Sequence, residues 1–122
     1  MSTPAGGPAP IRIGHLLVPA DDLDAVAAFY VDRLGLRLRF RDGDRYAAVT
    51  DGTATLGLAG PGEQPDPGRI VVSFQVSGLD ELVATWRRDG VAVGEVETGA
   101  HERRAVVRDP GGNALVLYEP LP

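Results

Sequence analysis

His15 and His101 are the side chains of this sequence best able to move a proton near neutral pH or to ligate a metal. His15 lies inside the apolar run Ile13-Gly14-His15-Leu16-Leu17-Val18, so it belongs to an element with a buried face. An imidazole there can be a metal ligand, a general base or a hydrogen-bonding anchor for a bound molecule; a satisfied structural histidine is the plainer alternative. His101 and Glu102 fall in a polar stretch that reads as loop. Arg37, Arg39 and Arg41 alternate with Leu36, Leu38 and Phe40, which puts three guanidinium groups on one strand face. They either bind a carboxylate or phosphate or form a solvated outer face. The exclusions are firmer. The chain has no cysteine, and all 12 of its basic residues are arginine, so disulfides, thiolate ligands and lysine Schiff bases are ruled out. No phosphate-binding loop, dinucleotide fingerprint, zinc motif or Ser-His-Asp pattern occurs.

The elements that would position His15 are legible. Residues 1–10 are rich in Pro, Gly and Ala with nothing to bury, and are expected to be a disordered tail. A strand is expected at about 11–18. Asp21 or Asp22 then supplies a helix N-cap, and Leu23, Val26, Ala27, Tyr30 and Leu34 recur on one helical face as far as Gly35. Strands are expected at 36–41, 45–50 and 53–58, separated by Asp42-Gly43 and Asp51-Gly52 turns.

The stretch 60–68, Gly-Pro-Gly-Glu-Gln-Pro-Asp-Pro-Gly, reads as a linker. Beyond it the pattern returns. Val71–Val76 repeats the first strand 56 positions on, with Val71 where the first copy has His15. Ser77 and Asp80 suggest a capping box, and Leu79, Leu82, Val83 and Trp86 repeat the helical face up to Gly90. Strands at about 91–96, 103–108 and 114–119 follow, the last after Asp109-Pro110-Gly111-Gly112-Asn113. Each half is therefore βαβββ, an α+β design of two modules, 11–60 and 69–120, within one domain of residues 11–120. One module alone leaves the inner face of its sheet open, so the two are expected to pair around a shared cavity.

Composition narrows the partners. The 122 residues are 43% hydrophobic and 24% charged, as in an ordinary globular domain. A net charge of −5 argues against nucleic acid and anionic membranes. No apolar run reaches the roughly 20 residues of a membrane span, and the N-terminus has no secretion signal, so a cytoplasmic location is expected.

Gly14-His15 leading to Asp22-Leu23-Asp24 and Phe29-Tyr30, then Leu34-Gly35-Leu36 and the Asp109-to-Asn113 turn, resemble the vicinal oxygen chelate superfamily. That superfamily includes glyoxalase I, extradiol dioxygenases, and fosfomycin- and bleomycin-resistance proteins. Its metal-dependent members hold a divalent ion through the first and last strand of each module. The resemblance carries those positions to His15, Leu56, Val71 and Val116, with Leu56 placed by matching the Asp51-Gly52 turn to the Gly111-Gly112 turn. One imidazole among three aliphatic side chains is no ligand set for a divalent ion, so no metal or other cofactor is expected. Glu119 lies three residues beyond Val116 and so points to the opposite face.

Strand alternation from these positions adds Leu17, Leu58, Ser73, Gln75 and Tyr118 to the wall around His15, Leu56, Val71 and Val116. Arg39 and the loop residue His101, where related proteins often gate the pocket, complete the candidate ligand site. A mostly apolar wall with a few polar groups suits an organic ligand; a closed core is the alternative. The resemblance implies a metal-independent, homodimeric protein that binds an apolar or aromatic small molecule, such as an antibiotic. A glyoxalase-like lyase or dioxygenase-related enzyme with His15 as its catalytic group is the alternative. A third is a structural or interaction domain whose cavity is closed.

Overall fold

Residues 11–122 are described by the computed structural model; the tail expected at residues 1–10 lies outside them. The chain divides into two compact units, Gly14–Ser73 and Phe74–Pro122, the latter joined by residues 11–13. Strand β1 (Arg12–Pro19) and strand β5 (Val71–Gln75) each cross this division. Each unit has its own apolar core.

In the first unit the Asp22 carboxylate accepts a hydrogen bond from the Ala25 N–H at 3.1 Å, the N-cap that starts helix α1 (Leu23–Ala28). The helix then loosens into a π-helical turn, Phe29–Arg33, instead of running on as α-helix to Gly35. Strands β2 (Arg37–Asp42), β3 (Tyr46–Thr50) and β4 (Thr55–Ala59) follow, and the sheet runs β2-β3-β4-β1. All its pairings are antiparallel except β1 with β4. Leu23 and Ala27 of α1 pack on Ala47, Val49 and Leu58, with Val18, Tyr30 and Leu56 around them. Burial of this apolar side holds the helix to the sheet.

The expected 60–68 linker is tied to this unit at several points. Pro61–Glu63 forms a 3-10 turn, and Glu63 pairs with Arg45 at 2.9 Å. The Gln64 amide donates to Asp21 Oδ1 at 2.7 Å and to the Ala59 carbonyl at 3.1 Å, and its oxygen accepts from Gly68 N–H at 2.9 Å.

In the second unit helix α2 (Leu79–Arg88) is followed by β6 (Ala92–Val93), β7 (Glu97–Thr98), β8 (Glu102–Arg108) and β9 (Ala114–Pro120). The strand expected over 91–96 is thus two short pieces, each paired antiparallel with β8, which pairs in turn with β9. Leu79 and Val83 pack on Val76, Ala105, Val107 and Leu117.

The start of α2 differs from the sequence expectation. No side chain of the Ser77–Asp80 stretch caps it; Gly78 stands there at φ +67°, a left-handed conformation that costs glycine little. Its N–H donates to Glu119 Oε2 of β9 at 2.8 Å. Asp80 instead makes a two-pronged pair with Arg103, at 2.8 and 2.9 Å. No helix among the described residues is long and apolar enough to cross a membrane.

Candidate functional site

In each unit the helix covers one face of the sheet, and the chemistry has to be sought on the other. In Gly14–Ser73 the face is fixed by register. Leu16 lies beside Leu56, Leu17 beside Gly57 and Val18 beside Leu58, and adjacent partners share a face. Since Val18, Leu56 and Leu58 pack with α1, the helix-free face carries His15, Leu17, Thr55 and Gly57.

The placement of Leu56 and Leu58 beside His15 is therefore corrected: both belong to the helix-side core. The reason is a one-residue difference between two turns. Asp51 takes the N–H groups of Thr53 and Ala54, and β4 begins at Thr55, three residues after Gly52. Asp109 takes the N–H of Asn113, and β9 begins at Ala114, two residues after Gly112. Matching the turns instead of the strand starts shifts the alignment by one, and one residue reverses every side chain. Gly57 is the counterpart of Val116.

Gly57 is crowded. A Cβ built on it would lie 2.5 Å from the Tyr46 hydroxyl oxygen and 2.9 Å from Leu17 Cδ2, so the tyrosine lies across the position. Tyr46 pairs with Ala59 in the ladder and its ring centre stands 6.3 Å from that of Phe40. Tyr46 and Phe40 escaped the sequence reading. The alternation Tyr46-Ala47-Ala48-Val49 after the Asp42-Gly43 turn was the available signal for Tyr46. Phe40 was hidden by an irregularity in β2: Leu38 faces Val49 and Phe40 faces Ala48, leaving Arg39 as the extra residue of a bulge. The three arginines therefore do not share a face. Arg37 stands opposite Thr50, while Arg41 stands opposite Ala47 on the helix side and pairs with Asp24.

His15 is half-buried, and this burial pushes its pKa below the usual value of 6.5 by disfavouring the charged ring. The imidazole is therefore neutral at pH 7, with one nitrogen able to donate and the other to accept.

In Phe74–Pro122, Leu115 and Leu117 face α2, so Val116 and Tyr118 face away, as alternation predicts. Likewise Phe74 and Val76 pack on the α2 side, and Gln75 lies opposite with Val71 and Ser73 on the same strand. Val71, Ser73 and Val116 are only 2%, 1% and 0% exposed, so they are packed interior. Gln75 is half-buried and takes part in a polar cluster. Its oxygen accepts from Arg12 Nη2 at 2.8 Å and from the Tyr118 hydroxyl at 3.4 Å. Burial raises the Tyr118 pKa, and nearby Glu102 adds to this while Arg12 works against it, so the phenol stays protonated.

Arg12 was missed because its position in β1 alternates with His15. Only the reach of its long side chain brings it to Gln75, and no pattern in the sequence announces that. His101 is exposed at the start of β8, where its carbonyl accepts from Leu121 N–H at 3.0 Å.

A model of the Glyoxalase/Bleomycin resistance protein/Dioxygenase superfamily matches residues 12–117. The chain belongs to this superfamily. An uncharacterized protein of Mycolicibacterium smegmatis is 41% identical over 114 residues, covering 90% of this chain and 95% of that one. Among solved structures, methylmalonyl-CoA epimerase from Mycobacterium tuberculosis is similar at 25% identity and a TM-score of 0.70, over 91% of this chain and 89% of its own. A hypothetical protein from Bacillus halodurans C-125 matches at a TM-score of 0.73 and 20% identity, over 92% and 96% of the two chains, and shows the shared fold.

The metal that metal-dependent members of the superfamily carry does not fit these residues. With the register corrected, the four strand positions are His15, Gly57, Val71 and Val116, and one imidazole cannot hold a divalent ion alone. Among the described residues no three His, Cys, Asp or Glu side chains gather in a group that could hold one.

Proposed function

We propose that this superfamily member is a metal-independent small-molecule-binding protein that takes an apolar or aromatic ligand and acts by sequestration or delivery. The observation that carries this reading is the nature of the helix-free faces. Polar groups suited to orienting an organic ligand, Arg12, Gln75 and Tyr118 in one unit and His15 in the other, stand among aliphatic and aromatic side chains, while three of the four strand positions where relatives would hold a metal carry glycine or valine. Of the ligand residues expected from the sequence, the reading keeps Gln75 and Tyr118 and adds Arg12 in the unit of Phe74–Pro122, keeps His15 and Leu17 and adds Tyr46 in Gly14–Ser73, and treats Val71, Ser73 and Val116 as packed interior.

Thermal shift against a panel of aromatic antibiotics and hydrophobic metabolites tests it. A ligand at 100 times its Kd stabilises by about 2.7 kcal/mol, a readily measured rise in Tm. No stabilisation across the panel would favour the closed-domain reading. Stoichiometric transition metal in protein purified without chelator, lost in His15→Ala, would sink the metal-free part.

An enzymatic reading is favoured by one observation, the half-burial of His15, which favours the neutral imidazole, a form that can accept a proton. The likeness to an epimerase at 25% identity is compatible with proton-transfer chemistry. Turnover of a candidate substrate that is abolished in His15→Gln, with binding retained, would establish this alternative. We also propose a homodimer, in line with the large apolar side chains left exposed, Phe29, Leu34, Leu38 and Ile70 among them. Sedimentation as a monomer at micromolar concentration would refute the dimer.

A further inference from the structure

We propose that Arg12 and the Gln75 amide form a recognition point for a carboxylate, or a similar singly charged oxyanion, on the bound molecule. The inference rests on the ligand-binding reading above and specifies the chemistry of that ligand. Arginine has donors only, so the bond from Arg12 Nη2 at 2.8 Å fixes which end of the Gln75 amide faces it: the oxygen. The Tyr118 hydroxyl donates to the same oxygen at 3.4 Å. With its acceptor taken twice, Gln75 turns its NH2 group outward as two donors, and no acceptor among the described residues is bonded to it.

Arg12 is exposed and uses one of its five N–H groups on Gln75. The cluster thus offers donors and asks for an acceptor. A carboxylate satisfies a guanidinium and an amide NH2 together, with charge-assisted bonds of about twice the neutral strength.

The surrounding charges bear on the valence. Arg104 stands directly across from Tyr118 on β8, with Glu97 of β7 directly across from it on the other side and Glu102 two residues before it on the same face. Two guanidinium groups and two carboxylates balance, so the anion would be held by the local donors of Arg12 and Gln75 and not by a surplus of positive charge, which suits a monoanion better than a phosphate dianion. Ile11 and Ile13, exposed on either side of Arg12 in sequence, supply apolar surface for the ligand's body.

The test is calorimetric titration of the full chain with two probes of matched ring, 2-naphthoate and 2-naphthalenemethanol. Naphthoate is expected to bind about tenfold more tightly than the alcohol, the size of one charge-assisted contact. In Arg12→Gln this ratio should fall to near one, with the variant's circular dichroism spectrum and urea midpoint reporting that the fold is intact. Gln75→Glu should invert the preference.

Equal affinity of the wild-type chain for both probes, or a preference that survives Arg12→Gln, overturns the inference and leaves the ligand-binding reading standing. The same holds if neither probe binds while uncharged aromatic compounds do. No binding by any probe or panel compound overturns both.

Discussion

The two units share one grammar of strand, helix and returning strands, yet they differ in what their helix-free faces carry. In Gly14–Ser73 that face bears a half-buried neutral imidazole and, elsewhere on it, a tyrosine lying over a glycine. In Phe74–Pro122 it bears valine where the first has glycine, and a hydrogen-bonded Arg12–Gln75–Tyr118 cluster. The helix-facing sides, by contrast, are alike: Leu58 and Leu117 are both almost wholly buried against equivalent helices. Repetition is thus kept where packing against the helix demands it and lost on the helix-free faces.

The strongest way to break this comparison is to truncate the two equivalent leucines. Leu58→Ala and Leu117→Ala should each destabilise by about 2–5 kcal/mol, as deletions in a well-packed core do. Urea unfolding of the two variants measures it. A small loss for Leu58→Ala together with a change in ligand binding would mean that this residue lines the ligand site after all, and that the corrected register is wrong.

The next effect probes where the faces differ. Gly57→Val should cost roughly 1–3 kcal/mol, because the new side chain must displace Tyr46 and Leu17 from positions 2.5 and 2.9 Å away. The valine already present at the counterpart position, Val116, is accommodated fully buried. A Gly57→Val variant with unchanged stability and no shift in the tyrosine fluorescence would show that Tyr46 yields freely.

Smaller effects come from the two helix starts. Asp22→Ala removes a side-chain cap and should cost about 1 kcal/mol. Glu119→Ala removes the carboxylate that takes the Gly78 N–H, and a comparable or smaller loss is expected from a contact made across the fold. Ser77→Ala, by contrast, should be nearly silent in the same unfolding measurement; a loss as large as that of Asp22→Ala would restore the capping box.

These differences mark what a sequence can disclose. Elements were legible because their signals are local: Asp22 before an apolar period of 3.6, Asp42-Gly43 between alternating runs, glycine where a helix ends. The fold followed because two such series repeat. The faces of Gln75 and Tyr118 were legible because each lies on a strand whose alternation is unbroken up to it. Leu56, Leu58 and the arginines of β2 were misplaced because strand faces depend on counting, and one residue more in a turn or in a bulge reverses the count. Arg12 could not be counted at all, since a long side chain can leave the face its Cβ points to.

The last prediction concerns the one titrating group that the first unit has and the second, with Val71 at the repeated position, lacks. Burial favours neutral His15, so its pKa in the folded chain lies below the 6.5 of the unfolded chain. Between those two values the unfolded chain binds a proton that the folded one does not, so stability rises with pH there. The contribution is whole above pH 6.5 and is lost as the solution is acidified toward the folded value. Urea midpoints of the wild-type chain should therefore decline on going from pH 7 to pH 5, and His15→Leu should flatten that part of the decline while leaving the contributions of the carboxylates. An identical slope in the variant would mean that His15 is as well solvated folded as unfolded. A slope of opposite sign would mean that the folded chain stabilises an imidazolium, which would make the first unit's face a place for an anion and erase the contrast with the arginine-bearing cluster of the second.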